Sequence, residues 1–164
     1  MLFSASLFGS VLILTSFDLT ILPCHFSPRL PRRGIGIYLI LSGVVLILIW
    51  LVLSILPALW SGKVPPEVAS YTTIVTYVID MGIVAPALIL AGVMLLRSNA
   101  WGYLLASTSL VFTTILGIDL LTAGIVQKFA GLINMGQFIG FVLSFALLTL
   151  FAISFTLVLF RNAS

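Results

Sequence analysis

Apolar residues run along this chain in long unbroken blocks, and the polar residues gather in the short gaps between them. Five blocks stand out, at about residues 2–22, 35–60, 73–96, 102–126 and 136–160. Crossing the hydrocarbon of a bilayer takes about 20 residues of helix at about 1.5 Å each, and the last four blocks all reach that length. The pattern therefore predicts an all-α integral membrane bundle of about five helices in a single domain. The first block is uncharged only from Leu2 to Phe17 and then meets Asp18, so it reads as a short or incomplete spanning helix. A cleaved signal peptide fits it poorly, because no basic residue precedes the apolar run and no small-x-small cleavage site follows.

The gaps are short and rich in helix breakers. Pro23, Pro28 and Pro31 interrupt the stretch from 23 to 34, and Pro65-Pro66 follows Ser61-Gly62-Lys63. Residues 97–100 make a tight turn, and 127–135 form the last connection. Proline removes a backbone donor and clashes with the preceding turn, so each of the first two gaps ends one helix before the next begins. Links this short make sequential helices antiparallel neighbours.

Composition enters only to exclude. Hydrophobic residues make up 62% of the 164 and charged residues 7%, whereas a soluble domain carries about 25% charged side chains to face water. Lipid-facing flanks need none. The net charge of +3 comes without a basic, aromatic-studded patch, so nucleic acid is not a predicted partner. Membrane lipid is, together with a second copy of the chain or another membrane protein. The placement of the basic residues predicts orientation instead. Arg29, Arg32, Arg33, Arg97 and Arg161 fall on one side, and Lys63 and Lys128 on the other. By the positive-inside rule the arginine side is cytoplasmic, which puts the N-terminus outside a cell (inner or plasma) membrane and the C-terminus inside. Tyr38, Trp101 and Tyr103 then mark the inner boundary, with Trp60 and Tyr71 at the outer one.

Two carboxylates lie inside the blocks, Asp80 and Asp119. A charge at that depth costs about 2.5–3.5 kcal/mol even on insertion scales, so it calls for a partner. Each lies seven residues from the outer edge of its block, roughly 10 Å deep at the helical rise. Neighbouring antiparallel helices would bring the two to one level. Thr76, Tyr77 and Asp80 share a stripe with Thr73, Ala87 and Ala91, and Asp119 shares a face with Ile115, Thr122, Ala123 and Thr108. Asp80, Asp119, Tyr77, Thr76 and Thr122 are thus the candidate polar site. One reading is interhelical hydrogen-bond glue or an assembly contact. The other is a proton- or cation-translocating or small-molecule transport module, to which Pro86 contributes by freeing the carbonyl of Gly82. Gly136, Gly140 and Ser144 form a small-residue stripe suited to helix packing, within the chain or between chains. Asp18 is expected to pair with the nearby arginine loop. Cys24-His25 has too few ligands for a metal site, and neither phosphate-loop nor dinucleotide motifs occur. No metal, cofactor or enzymatic activity is predicted.

The middle of the chain resembles a family of polytopic membrane proteins of bacteria and archaea that has no known activity. The likeness rests on Ser61-Gly-Lys-Val-Pro-Pro66, Tyr71-Thr-Thr73, Asp80-Met-Gly-Ile-Val-Ala-Pro-Ala87, Gly92, Arg97 and Gly102-Tyr-Leu-Leu-Ala106, with Ser27-Pro-Arg-Leu-Pro-Arg-Arg33 as the linker. It covers about Leu2 to Ala123. It implies further hydrophobic helices ahead of the first block, as in longer members, and no catalytic or binding role.

Overall fold

The computed structural model describes residues 9, 12, 15–16, 26–27, 30–62 and 75–162. Asp18, Cys24, His25, Arg29, Lys63, Glu67, Tyr71 and Thr73 lie outside them, as does most of the first block. The described chain is an all-α bundle. Helix α1 (Arg32–Trp50) passes through a π turn (Leu51–Ile55) into α2 (Leu56–Ser61). After the gap, α3 (Val75–Ile79) passes through a second π turn (Asp80–Val84) into α4 (Ala85–Leu96). Helices α5 (Ala100–Phe129) and α6 (Met135–Arg161) complete it. Four stretches are long and apolar enough to cross a membrane: Arg32–Trp50, Thr76–Leu96, Ala100–Phe129 and Phe138–Arg161. Each overlaps one of the last four blocks of the sequence; the first stops at Trp50, ten residues before the end of its block, and the third runs past its block at both ends.

The π turns have a local cause. Pro57 and Pro86 each stand at the start of the helix that follows, and in an α-helix their rings would strike the carbonyls of residues 53 and 82. Widening the turn ahead of each proline relieves that clash. The amide of Leu56 accordingly bonds the carbonyl of Leu51, and that of Ala85 the carbonyl of Asp80, each five residues back. The kink expected at Pro86 is thus a π turn that begins at Asp80.

Helix α1 packs most extensively on α4, and α6 on α5. Small residues set both seams. A Cβ on Gly92 would stand 2.6 Å from the carbonyl oxygen of Gly36, and one on Gly43 would stand 2.8 Å from that of Ala85. The α1 and α4 backbones therefore touch where a larger side chain would hold them apart. On the other seam a Cβ on Gly117 would fall 2.2 Å from Thr149 Oγ1, and Gly124 faces the ring of Phe141. Hydrocarbon offers no hydrophobic drive between helices, so contact of this closeness supplies much of the association. Ile35, Leu39, Leu88, Ala91, Leu95, Ala106 and Leu110 fill the middle as one buried cluster. The outward faces carry Leu41, Ile83, Leu90, Leu143 and Leu150, as a lipid-solvated surface requires.

Among the described residues, no neighbouring helix packs closely on the stripe of Gly136, Gly140 and Ser144. All three are exposed, and a Cβ on Gly140 would meet nothing within 4 Å. Helix α6 turns a different face, with Phe141, Thr149 and Ala152, toward α5 or the interior.

Candidate functional site

The densest polar contacts inside the spans join α1 and its π turn to α3 and its π turn. Trp50 is the last residue of α1, and Ser54 follows it by four positions inside the π turn. Tyr77 and Asp80 stand three apart on the facing segment. The spacings i, i+4 and i, i+3 put each pair on one face of its helix. Trp50 Nε1 donates to Asp80 Oδ2 at 2.9 Å, and the Ser54 hydroxyl donates to the Tyr77 oxygen at 2.8 Å. The Trp50 and Tyr77 rings lie 4.2 Å apart at 44°, within the range where tilted aromatic pairs attract. Ser54 is buried, and Trp50, Tyr77 and Asp80 are half-buried. Two hydrogen bonds and a ring contact thus bridge one antiparallel seam that also carries Gly36 against Gly92.

The placement of the remaining candidates follows from this register. Thr76 is exposed beside the pair. On the stripe that carries Asp80, Ala91 is buried and Ala87 is exposed. Asp119 is exposed on α5, and no described residue bonds its carboxyl. Its face, with Thr108, Ile115 and Thr122, is uncovered: Ile115 is 63% exposed, and the hydroxyls of Thr108 and Thr122 fall back on the carbonyls of Leu104 and Ile118. Helical spacing allows the carboxyl groups of Asp80 and Asp119 to reach one level. No bond joins them; Asp80 turns to Trp50 and Asp119 turns outward.

A cavity of about 90 Å³ lies between α1, α4, α5 and α6. Tyr38, Ser42, Leu88, Thr113, Gly117 and Phe145 are among its walls, and neither Asp80 nor Asp119 reaches it. Its hydroxyls are largely spent on backbone. Tyr38 donates to the carbonyl of Leu148, and Thr113 to those of Ser109 and Leu110. Among the described residues no three His, Cys, Asp or Glu side chains gather where a metal ion would sit.

Sequence reasoning singled out Tyr77 and Asp80 and missed Trp50 and Ser54. The signal was present: Trp50 and Ser54 lie four apart and precede Pro57 by seven and three residues, as Tyr77 and Asp80 precede Pro86 by nine and six. Comparison with known proteins adds no identity, since no family model, curated protein or solved structure matches this chain.

Proposed function

We propose that this protein is a non-enzymatic accessory or assembly component of a membrane, built to be joined by another membrane helix. Asp119 carries the reading. It is an intramembrane carboxyl on the outer face of a bundle whose other intramembrane carboxyl already has a donor. Facing lipid alone, Asp119 costs about 2.5–3.5 kcal/mol. A neighbouring helix that offers a hydrogen-bond donor at that depth removes the cost. The exposed Gly136, Gly140 and Ser144 stripe supplies a second surface on which a helix backbone packs closely. The neighbour is a second copy of the chain or a different membrane protein. The proposed setting is the cell membrane, with the C-terminus cytoplasmic by the arginine bias, among proteins like the polytopic family that the middle of the chain resembles.

Size analysis in mild detergent tests it. The full chain should migrate as a complex larger than its 17.7 kDa, and Asp119→Leu should release the monomer while leaving helicity unchanged. A monomer from the start, or a complex indifferent to Asp119→Leu and to Gly140→Leu, refutes the reading. The competing role, proton or cation handling by Asp80 and Asp119, has one observation in its favour: π turns recur at functional sites, and Asp80 begins one. Reconstituted in liposomes, a translocating protein would show a flux that Asp80→Asn abolishes.

A further inference from the structure

At the end of the bundle where α1 and α5 begin and α4 and α6 finish, the described chain gathers Arg32, Arg33, Arg97 and Arg161. A short network ties these positions together. The Ser27 amide bonds the carbonyl of Asn162, next to Arg161; the Leu30 amide bonds that of Ser27, and the Arg32 amide that of Leu30. Phe26 stacks on Tyr103 at 5.0 Å. Arg32 then reaches across the end: its Nη1 donates to Ser98 Oγ at 2.7 Å, beside Arg97, and to the Tyr103 hydroxyl at 3.1 Å.

Arg32 is half-buried, and both groups that hold it are neutral. They fix the guanidinium in place without compensating its charge. A guanidinium has five N–H donors, and the two on Nη1 are spoken for. The Nε–Nη2 edge, the fork that matches a carboxylate or phosphate in two parallel bonds, has no acceptor among the described residues. Neither Arg32 nor the three arginines around it makes an ion pair there. That open edge, held in place at the end of the bundle among three further arginines, is suited to an anionic group. Its depth identifies the source. Tyr103 and the partly exposed Trp101 stand at the level where aromatic side chains sit among lipid headgroups, and α1 begins there with no side chain capping its first turn.

We propose that this end of the bundle binds the phosphate of an anionic phospholipid, with Arg32 as its pre-oriented anchor and Arg33, Arg97 and Arg161 as the surrounding positive field. The inference does not depend on the assembly role of Asp119. Binding of lipid here ties the N-terminus of α1 to the α4–α5 turn, the same junction that Arg32 spans.

Native mass spectrometry of the full chain, released from micelles holding equal phosphatidylglycerol and phosphatidylcholine, reads the preference directly. Phosphatidylglycerol should dominate the retained lipid. A juxtamembrane arginine contributes about 1 kcal/mol toward anionic lipid, about fivefold each. Arg33→Gln, Arg97→Gln and Arg161→Gln together should therefore lower the preference roughly a hundredfold. These three are exposed and bond nothing across the bundle among the described residues, so that variant keeps its fold, checked by helicity. Arg32→Gln should cut retention at least as much as any one of them and lower the melting temperature that phosphatidylglycerol raises. Equal retention of both lipids, or a preference the triple variant keeps, overturns the proposal. So does full competition by millimolar inorganic phosphate, which would assign the site to a free anion. A loss of stability in Asp18→Asn equal to that in Arg32→Gln, with no lipid effect, would make Asp18 the counterion and also overturn it.

Discussion

Replacing Trp50 with Phe removes one hydrogen-bond donor and keeps an aromatic ring against Tyr77, so it isolates the contact that holds Asp80. The carboxyl then loses its only bonded partner among the described residues. Interhelical hydrogen bonds in membranes are worth about 0.6 kcal/mol on average and up to about 1.7, and a polar group left unsatisfied in a buried site costs about 1–3 kcal/mol. Asp80 is only half-buried, which moves the expectation toward the lower figures. Trp50→Phe should destabilise the bundle by about 1–2 kcal/mol on those scales, part of it from the smaller ring. The ring part is removed by repeating the change in an Asp80→Leu background, where there is no acceptor to orphan. The coupling left over should be about 0.6–1.7 kcal/mol. Tyr77→Phe is the neutral comparison. It should cost about 0.6 kcal/mol or less, because the Ser54 hydroxyl can turn to its own helix, as serines in apolar helices do. Reversible unfolding in mixed micelles of increasing dodecyl sulfate, followed by far-ultraviolet circular dichroism, measures all of these. A coupling below about 0.3 kcal/mol is within the scatter of independent sites. That result would show that Trp50 and Asp80 do not interact, and that the α1–α3 seam rests on packing alone.

Two further outcomes follow from the packing and the charge pattern. Gly117→Ala should cost about 1–3 kcal/mol by overpacking against Thr149, whose hydroxyl is held to the carbonyl of Phe145; Gly117→Ala with Thr149→Ala should recover most of it, and strict additivity in the same assay would refute the close α5–α6 approach. With the arginine side cytoplasmic, Cys24 should resist a membrane-impermeant thiol reagent in intact cells and react once they are permeabilised, whereas labelling of intact cells would reverse the orientation.

How much of this was legible in the sequence divides along a physical line. The spans were, because a bilayer imposes one length on every crossing helix and the gaps are punctuated by proline, glycine and charge. Helix ends at Arg97 and Arg161 followed from the same pattern. The π turns were only half visible: Pro86 announced a disturbance, but the choice between a kink and a widened turn depends on what lies across the seam. Trp50 was hidden because it lies well inside the apolar block 35–60, where no spacing rule marks it as a partner of Asp80. Its role depends on the α1–α4 register, which is fixed by Gly36, Gly43 and Gly92 through backbone contacts that no spacing rule reports. The small-residue stripe on α6 is not the face that meets α5. Gly136, Gly140 and Ser144 have the pattern of a packing face, yet the α6 face that meets α5 is chosen by Thr149 and Phe141 seating on Gly117 and Gly124.

Asp80 and Asp119 make the same point in chemical terms. Both are aspartates seven residues inside an apolar block, and depth alone does not distinguish them. Register does. On the first seam, two backbones brought together by glycine carry an indole N–H to within 2.9 Å of a carboxylate. On the second, the glycines face α6 while Asp119, two residues past Gly117, is rotated about 200° away from that contact at about 100° per residue. An α5–α6 seam built on Gly117 therefore turns Asp119 away from α6. For that reason the carboxyl on α5 is the place to look for what this protein binds, and the carboxyl before α4 is the place to look for what holds it together.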